Sequence, residues 1–151
     1  MASDGGIRRF KKCEMKNEEH HEQVAVIHWA LYHESKYPEL KLLYAVPNGG
    51  KRSIGVAKKL KAEGVKRGVP DLCLPVARAG CHGLYIEMKT KKEAADKKLG
   101  IKGSYPSTSK EQKEYLQLLK EQKYATWVAY GSDDAITVLE NYLKGIYFSV
   151  V

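Results

Sequence analysis

Residues Leu84 to Lys89 alternate strictly: Leu84, Ile86 and Met88 are interleaved with Tyr85, Glu87 and Lys89. A strand sends successive side chains to opposite faces, so this spacing predicts a β-strand with Glu87 and Lys89 on one face and the apolar set on the other. Upstream, Gly68-Val69-Pro70-Asp71 leads into a second apolar run, and Ala77-Arg78-Ala79-Gly80-Cys81 between the two suits a chain reversal, with Gly80 able to take positive φ. Pro70 fixes its own φ and biases Val69 toward extended structure, which delivers the chain into a strand at Asp71. Pairing residue 76 with 82 in this hairpin sets Asp71 opposite Glu87. Directly opposed residues have Cβ atoms roughly 4.5–5.5 Å apart. Two carboxylates and the Lys89 ammonium then converge on one face. Opposed like charges repel, so the arrangement is favourable chiefly with a cation between them, and hard oxygen ligands suit Mg²⁺ or Mn²⁺. On a solvated sheet face the same residues would form no more than an ion-pair ladder.

Further elements follow from local signals. Asn17 is placed to cap a helix running to about Glu34, with Val24, Ile27 and Leu31 as its apolar stripe and Val26 and Ala30 beside it. Glu19 and Gln23 share a flank at a spacing of four, and Glu22 also borders the stripe. Leu42 to Val46 is expected as a short buried strand, broken by Pro47-Asn48-Gly49-Gly50. Ser53 caps a helix to Glu63, with Gly64 past its end. Thr90 to Thr108 is expected as a long Lys-rich loop. Ser109-Lys110-Glu111-Gln112 fits a capping box opening a helix to about Gln122, its inner face formed by Tyr115, Leu116, Leu118 and Leu119. Ala125 to Tyr130 has strand composition, and Ser132 or Asp133 caps a last helix through Lys144. Ile146 to Val151 is apolar and calls for cover from its own domain or a second subunit. Residues 1–16 are expected as a flexible tail and 17–151 as one domain.

A net charge of +8 and a pI near 9.3 point to an anionic partner, nucleic acid first. Lys51, Arg52, Lys66 and Arg67 crowd the approach to Asp71 and are the expected phosphate contacts, whereas Lys58, Lys59 and Lys61 are equally explained as a solvated helix face. Three cysteines without framework spacing argue for a reducing compartment. No apolar run approaches the ~20 residues needed to cross a bilayer, and no secretory signal is evident.

Pro70-Asp71 followed by Glu87-Met88-Lys89 resembles the PD-(D/E)xK nuclease motif. The fuller pattern, Gly-Val-Pro-Asp, Ile-Glu-x-Lys and a downstream Gln112, resembles the VRR-NUC family over roughly residues 17–143. Without the inserted and final helices, the expected element order is αβββαβ. The resemblance thus implies an α/β, restriction-endonuclease-like core with a mixed central sheet flanked by helices. It also implies Mg²⁺-dependent hydrolysis of DNA, with Asp71, Glu87 and the Met88 carbonyl on the metal and Lys89 orienting or activating the attacking water. By the same likeness a helical Glu, here Glu19 in preference to Glu22, reaches the site through metal-bound water or a second ion. Gln112 either supports the catalytic strand or is only the partner of its helix cap. Compact stand-alone members, viral or bacterial, act on branched DNA such as Holliday junctions as homodimers, and this chain resembles them. The alternatives are a monomeric flap nuclease and a non-catalytic nucleic-acid-binding module on the same fold.

Overall fold

A computed structural model describes residues 5–48, 52–99 and 108–146. Its elements are helix α1 (Gly5–His33), a 3₁₀ turn (Pro38–Leu42), β1 (Tyr44–Ala45), α2 (Ile54–Ala62), β2 (Leu72–Leu74), β3 (Leu84–Lys89), α3 (Lys91–Lys98), α4 (Lys110–Glu121), β4 (Ala125–Tyr130) and α5 (Ser132–Leu143). The four strands form one sheet in the order β1-β2-β3-β4, with β1/β2 and β2/β3 antiparallel and β3/β4 parallel. A mixed sheet flanked by helices is the expected architecture. The parallel β3/β4 pair requires a crossover, which α3 and α4 provide.

The core lies on one face of the sheet. Leu72, Leu74, Leu84, Ile86, Met88 and Ala129 pack against Val26 and Ala30 of α1 and against Ala135, Val138, Leu139 and Leu143 of α5. Truncating a fully buried member such as Ile86 to Ala would cost about 2–5 kcal/mol. α4 covers the opposite face with Leu116. Both faces of β3 are therefore covered, and Glu87 and Lys89 are only 1% and 8% exposed. The solvated ion-pair ladder is not what forms.

Two prolines flank β2. Leu72 pairs with Ile86 and Leu74 with Leu84, the anticipated register. The ladder stops at Leu74: the Val76 N–H turns back to the Leu74 carbonyl at 2.9 Å, so residues 76 and 82 do not pair. The turn closes on an Arg78↔Cys81 bridge around Ala79 (φ 49°) and Gly80 (φ 79°), the two positive values that a tight hairpin turn demands.

Other expectations need correction. α1 begins at Gly5, so Asn17 lies within it and not at its cap. No proline interrupts residues 5–33, and extending an existing helix costs little. Among its described side chains Val26 and Ala30 are buried, whereas Leu31 is exposed. The expected 42–46 strand shrinks to Tyr44–Ala45, because Pro38 starts a 3₁₀ turn that consumes Leu42. Tyr44, 49% exposed, sits on an open edge. The Lys-rich loop contains α3, whose Lys, Glu and Ala content is helix-forming. Leu118 points outward at 59% exposure. Neither Ser132 nor Asp133 caps α5: Gly131 is its N-cap, and the Ser132 N–H is taken by Glu22 Oε2 at 2.6 Å. The α2 and α4 caps and the β4 strand are as expected. Lys51 and the apolar Tyr147–Val151 fall outside the described residues. No described helix is long and apolar enough to cross a membrane.

Candidate active site

Continuing the β2/β3 register by one pair sets Asp71 opposite Glu87, at the end of β3 where Lys89 also sits. One further pair brings Pro70 opposite Met88. Even-numbered residues of β3 turn their backbone groups toward β2, and a proline has no N–H to offer the Met88 carbonyl there. The Met88 N–H donates instead to Asp71 Oδ2 at 2.7 Å, while the Val46 N–H donates to the Asp71 carbonyl at 2.8 Å. Lys89 Nζ lies 3.1 Å from Glu87 Oε1, and Gln112 Nε2 donates to the same oxygen. Glu87 Oε2 is buried and has no hydrogen-bond partner.

Leaving half of a buried carboxylate unsatisfied costs free energy unless something binds there. The electrostatics agree. Burial first, and then the charge of Asp71, push the Glu87 carboxyl up to about 7, with a smaller push from Glu19 and an opposing pull from Lys89. Asp71 is also raised by burial, against the pull of the Met88 N–H and Lys89. A divalent cation would relieve both acids. Among the described residues no three Asp, Glu, His or Cys side chains cluster tightly enough to hold a metal. An ion would therefore rest on two carboxylates, a backbone carbonyl and water, a donor set that fits Mg²⁺ or Mn²⁺.

The raised Glu87 has a measurable consequence. Between its ordinary value of 4.5 and about 7, the folded chain holds a proton that the unfolded chain has released. Folding stability thus falls as pH rises through that window. In chemical denaturation without divalent ions, the native chain should lose stability relative to Glu87→Gln from pH 4.5 to 7, then run parallel to it. Parallel curves throughout would show an unperturbed Glu87.

The two helical acids occupy different places. Glu22 is committed to the first N–H of α5, while the charge of Glu19 is felt at Glu87. Glu19→Gln should therefore cut turnover severely and Glu22→Gln mainly destabilise the fold, as read by initial rates beside melting temperatures. The reverse ranking of rates would give Glu22 the role at the site.

Gln112 fills both of its expected roles at once. Its Oε1 accepts from the Ser109 N–H at 2.7 Å within a complete capping box, while Nε2 reaches Glu87. Gly68 makes this approach possible. At φ 82° and with any Cβ falling 2.6 Å from the Glu111 carbonyl oxygen, only glycine lets the first turn of α4 rest on the strand entry. Asn48 was not anticipated: its Nδ2 donates to the Val69 carbonyl at 2.6 Å and ties the turn after β1 to the Pro70-Asp71 step. The Pro47-Asn48 turn signal was its only trace in the sequence.

Of the expected phosphate contacts, the described Arg52, Lys66 and Arg67 are all exposed. Arg52 is exposed and donates to the Pro47 carbonyl at 2.6 Å. Lys66 lines a cleft of ≈ 310 Å³ with Val46, Pro47, Asn48, Val69 and Tyr115. Arg67 is exposed near Glu111, whose carboxyl is held low chiefly by its own backbone N–H and Ser109, with Arg67 contributing less. A larger cavity of ≈ 470 Å³ lies at the other end of β3, beside Leu84, Ala125, Trp127 and Tyr142. It contains none of these residues, and a site for a polymer needs open access more than volume.

No family model matches the chain, and no curated protein matches it. A solved structure described as a VRR_NUC domain protein is similar, with a TM-score of 0.64 and 29% identity over 83% of this chain and 88% of that one. That likeness across most of both chains, with Pro70-Asp71 and Glu87-Met88-Lys89 at the adjoining ends of paired strands, supports the VRR-NUC family of nuclease domains, in the PD-(D/E)xK superfamily, as this chain's family.

Proposed function

We propose that this chain is a divalent-cation-dependent endonuclease that hydrolyses DNA phosphodiesters at branched sites, resolving Holliday-type four-way junctions as a homodimer. The observation that carries the nuclease chemistry is the buried Glu87 carboxylate, opposed by Asp71, touched by Lys89 and left with Oε2 unsatisfied. Asp71, Glu87 and the Met88 carbonyl would hold Mg²⁺ or Mn²⁺, and Glu19 would reach the site from α1 through metal-bound water or a second ion. When bound, the ion supplies Lewis-acid polarisation of a phosphate oxygen and eases deprotonation of the attacking water. Lys89, held on Glu87, presents an ammonium to the charge that grows on the phosphate and orients the nucleophile. Gln112 keeps Glu87 in place. The free Cys73 and Cys81 suit a reducing setting such as a bacterial cytoplasm, with a phage-encoded protein included.

Arg52, Lys66 and Arg67, with Lys51, would grip the phosphate backbone on the way to Asp71. Lys66→Ala with Arg67→Ala should weaken DNA binding and flatten its salt dependence, since each lost duplex contact removes about 0.9 from the log–log slope. An unchanged slope would assign these charges to solvent.

The homodimer follows from the substrate. One site cuts one strand, whereas resolving a four-way junction takes two related nicks, which a two-fold dimer matched to the junction's own symmetry supplies. Light scattering combined with nick mapping on a fixed four-way junction tests it. A dimer with paired symmetric nicks is expected. A monomer, or nicks confined to one flap strand, would move the assignment to a monomeric flap nuclease.

A further inference from the structure

We propose that the capping box of α4 is a positioning device for the active-site carboxylate: the Ser109 backbone N–H clamps Oε1 of Gln112, so that the Nε2 end of the amide must face Glu87 Oε1 and Glu87 Oε2 is left for the cation. This rests on the assignment of Glu87 as a cation ligand. In an ordinary box the third-turn-position side chain has finished its work once it reaches the N-cap N–H, and Glu serves there as well as Gln. Here only an amide can do both tasks, accepting from Ser109 at 2.7 Å while donating to Glu87. A Glu at this position would set a third carboxylate against Asp71 and Glu87. A flipped amide would put Nε2 against the Ser109 N–H, donor to donor, and Oε1 against a carboxylate oxygen. The Ser109 N–H is therefore what chooses the orientation. The box is completed by its reciprocal bond and rests on the strand entry. The Gln112 N–H donates to Ser109 Oγ at 3.2 Å, and Gly68 abuts the backbone of Glu111 and Gln112. Ser109 thus acts on the reaction through Gln112 and touches no reacting atom.

Two substitutions separate clamp from cap. Ser109→Ala removes the hydroxyl and keeps the N–H. Ser109→Pro removes both, and its fixed φ matches the −62° already present at Ser109. The readout is Mn²⁺ binding to the full chain by calorimetry without DNA, beside thermal unfolding. Ser109→Ala should stay near native affinity, and Ser109→Pro should bind about tenfold more weakly or worse, as loss of a group supporting a metal ligand does. Equal affinities for the two variants would overturn the clamp. Should the native chain take up no Mn²⁺, the cation assignment fails separately, and the clamp is decided by NMR of the Gln112 side-chain amide. An Hε2 proton in the native chain that exchanges slowly supports the clamp, and exchange as fast as that of the exposed Gln122 overturns it. The same native-chain measurement decides the matter if Ser109→Pro does not fold.

Discussion

Asp71→Ala and Glu87→Ala should each lower DNA cleavage roughly a thousandfold or more, with DNA binding at the same ionic strength near native. Each carboxylate supplies a hard oxygen beside Glu87 Oε2, a buried acceptor left unsatisfied. Removing either leaves the other unable to hold a divalent ion in competition with water. The proposed phosphate contacts lie elsewhere, on exposed basic residues, so affinity and rate should separate. Glu87→Ala also takes away the ion pair that Glu87 makes at 3.1 Å with the almost fully buried Lys89. Its fold should therefore be checked by circular dichroism, and Asp71→Ala, at a less buried position, gives the cleaner comparison. A variant at Asp71 with native rates in Mg²⁺ would remove the site from where it is placed.

Lys89→Ala should stop turnover almost as completely, by roughly a hundred- to a thousandfold, for a different reason. Lys89 carries a charge that opposes cation binding, so its loss should not abolish Mn²⁺ uptake. Its proposed contribution is to the step in which negative charge grows on the phosphate. One complication has a known sign: Lys89 pulls the Glu87 carboxyl down, so removing it lets Glu87 rise further. Binding is best compared near pH 8.5, above the range in which Glu87 holds its proton. Lys89→Arg should rescue poorly, because the longer planar guanidinium has no room at a position 8% exposed. Loss of Mn²⁺ binding in step with loss of rate would make Lys89 a structural counter-ion and not a participant in the chemistry.

The centre of the fold was legible because short-range rules determine it. Alternation in Leu84–Lys89 gave the faces, Pro70 marked the entry of the preceding strand, and Gly80 placed the turn. The facing of Asp71 and Glu87 followed from that register alone. Burial of the site was not legible, since Glu87 and Lys89 become enclosed only when α4 folds back across the sheet, a contact remote in sequence. The Asn17 cap signal was overridden by a breaker-free stretch ahead of it. Glu19 and Glu22 could not be separated by periodicity, because both border the same stripe. What separates them is the distant N-terminus of α5 at Ser132, which claims Glu22. Gln112 looked like a choice between cap and site because sequence patterns assign one task per side chain, whereas an amide has two ends.

The most direct test is cleavage of end-labelled linear, splayed, flap and four-way DNA by the native chain and Asp71→Ala, in Mg²⁺ and in EDTA. A metal-dependent nuclease of branched DNA predicts cuts by the native chain on branched substrates in Mg²⁺ only, none in EDTA and none from the variant. Cutting that persists in EDTA, or that Asp71→Ala performs at the native rate, would contradict the account.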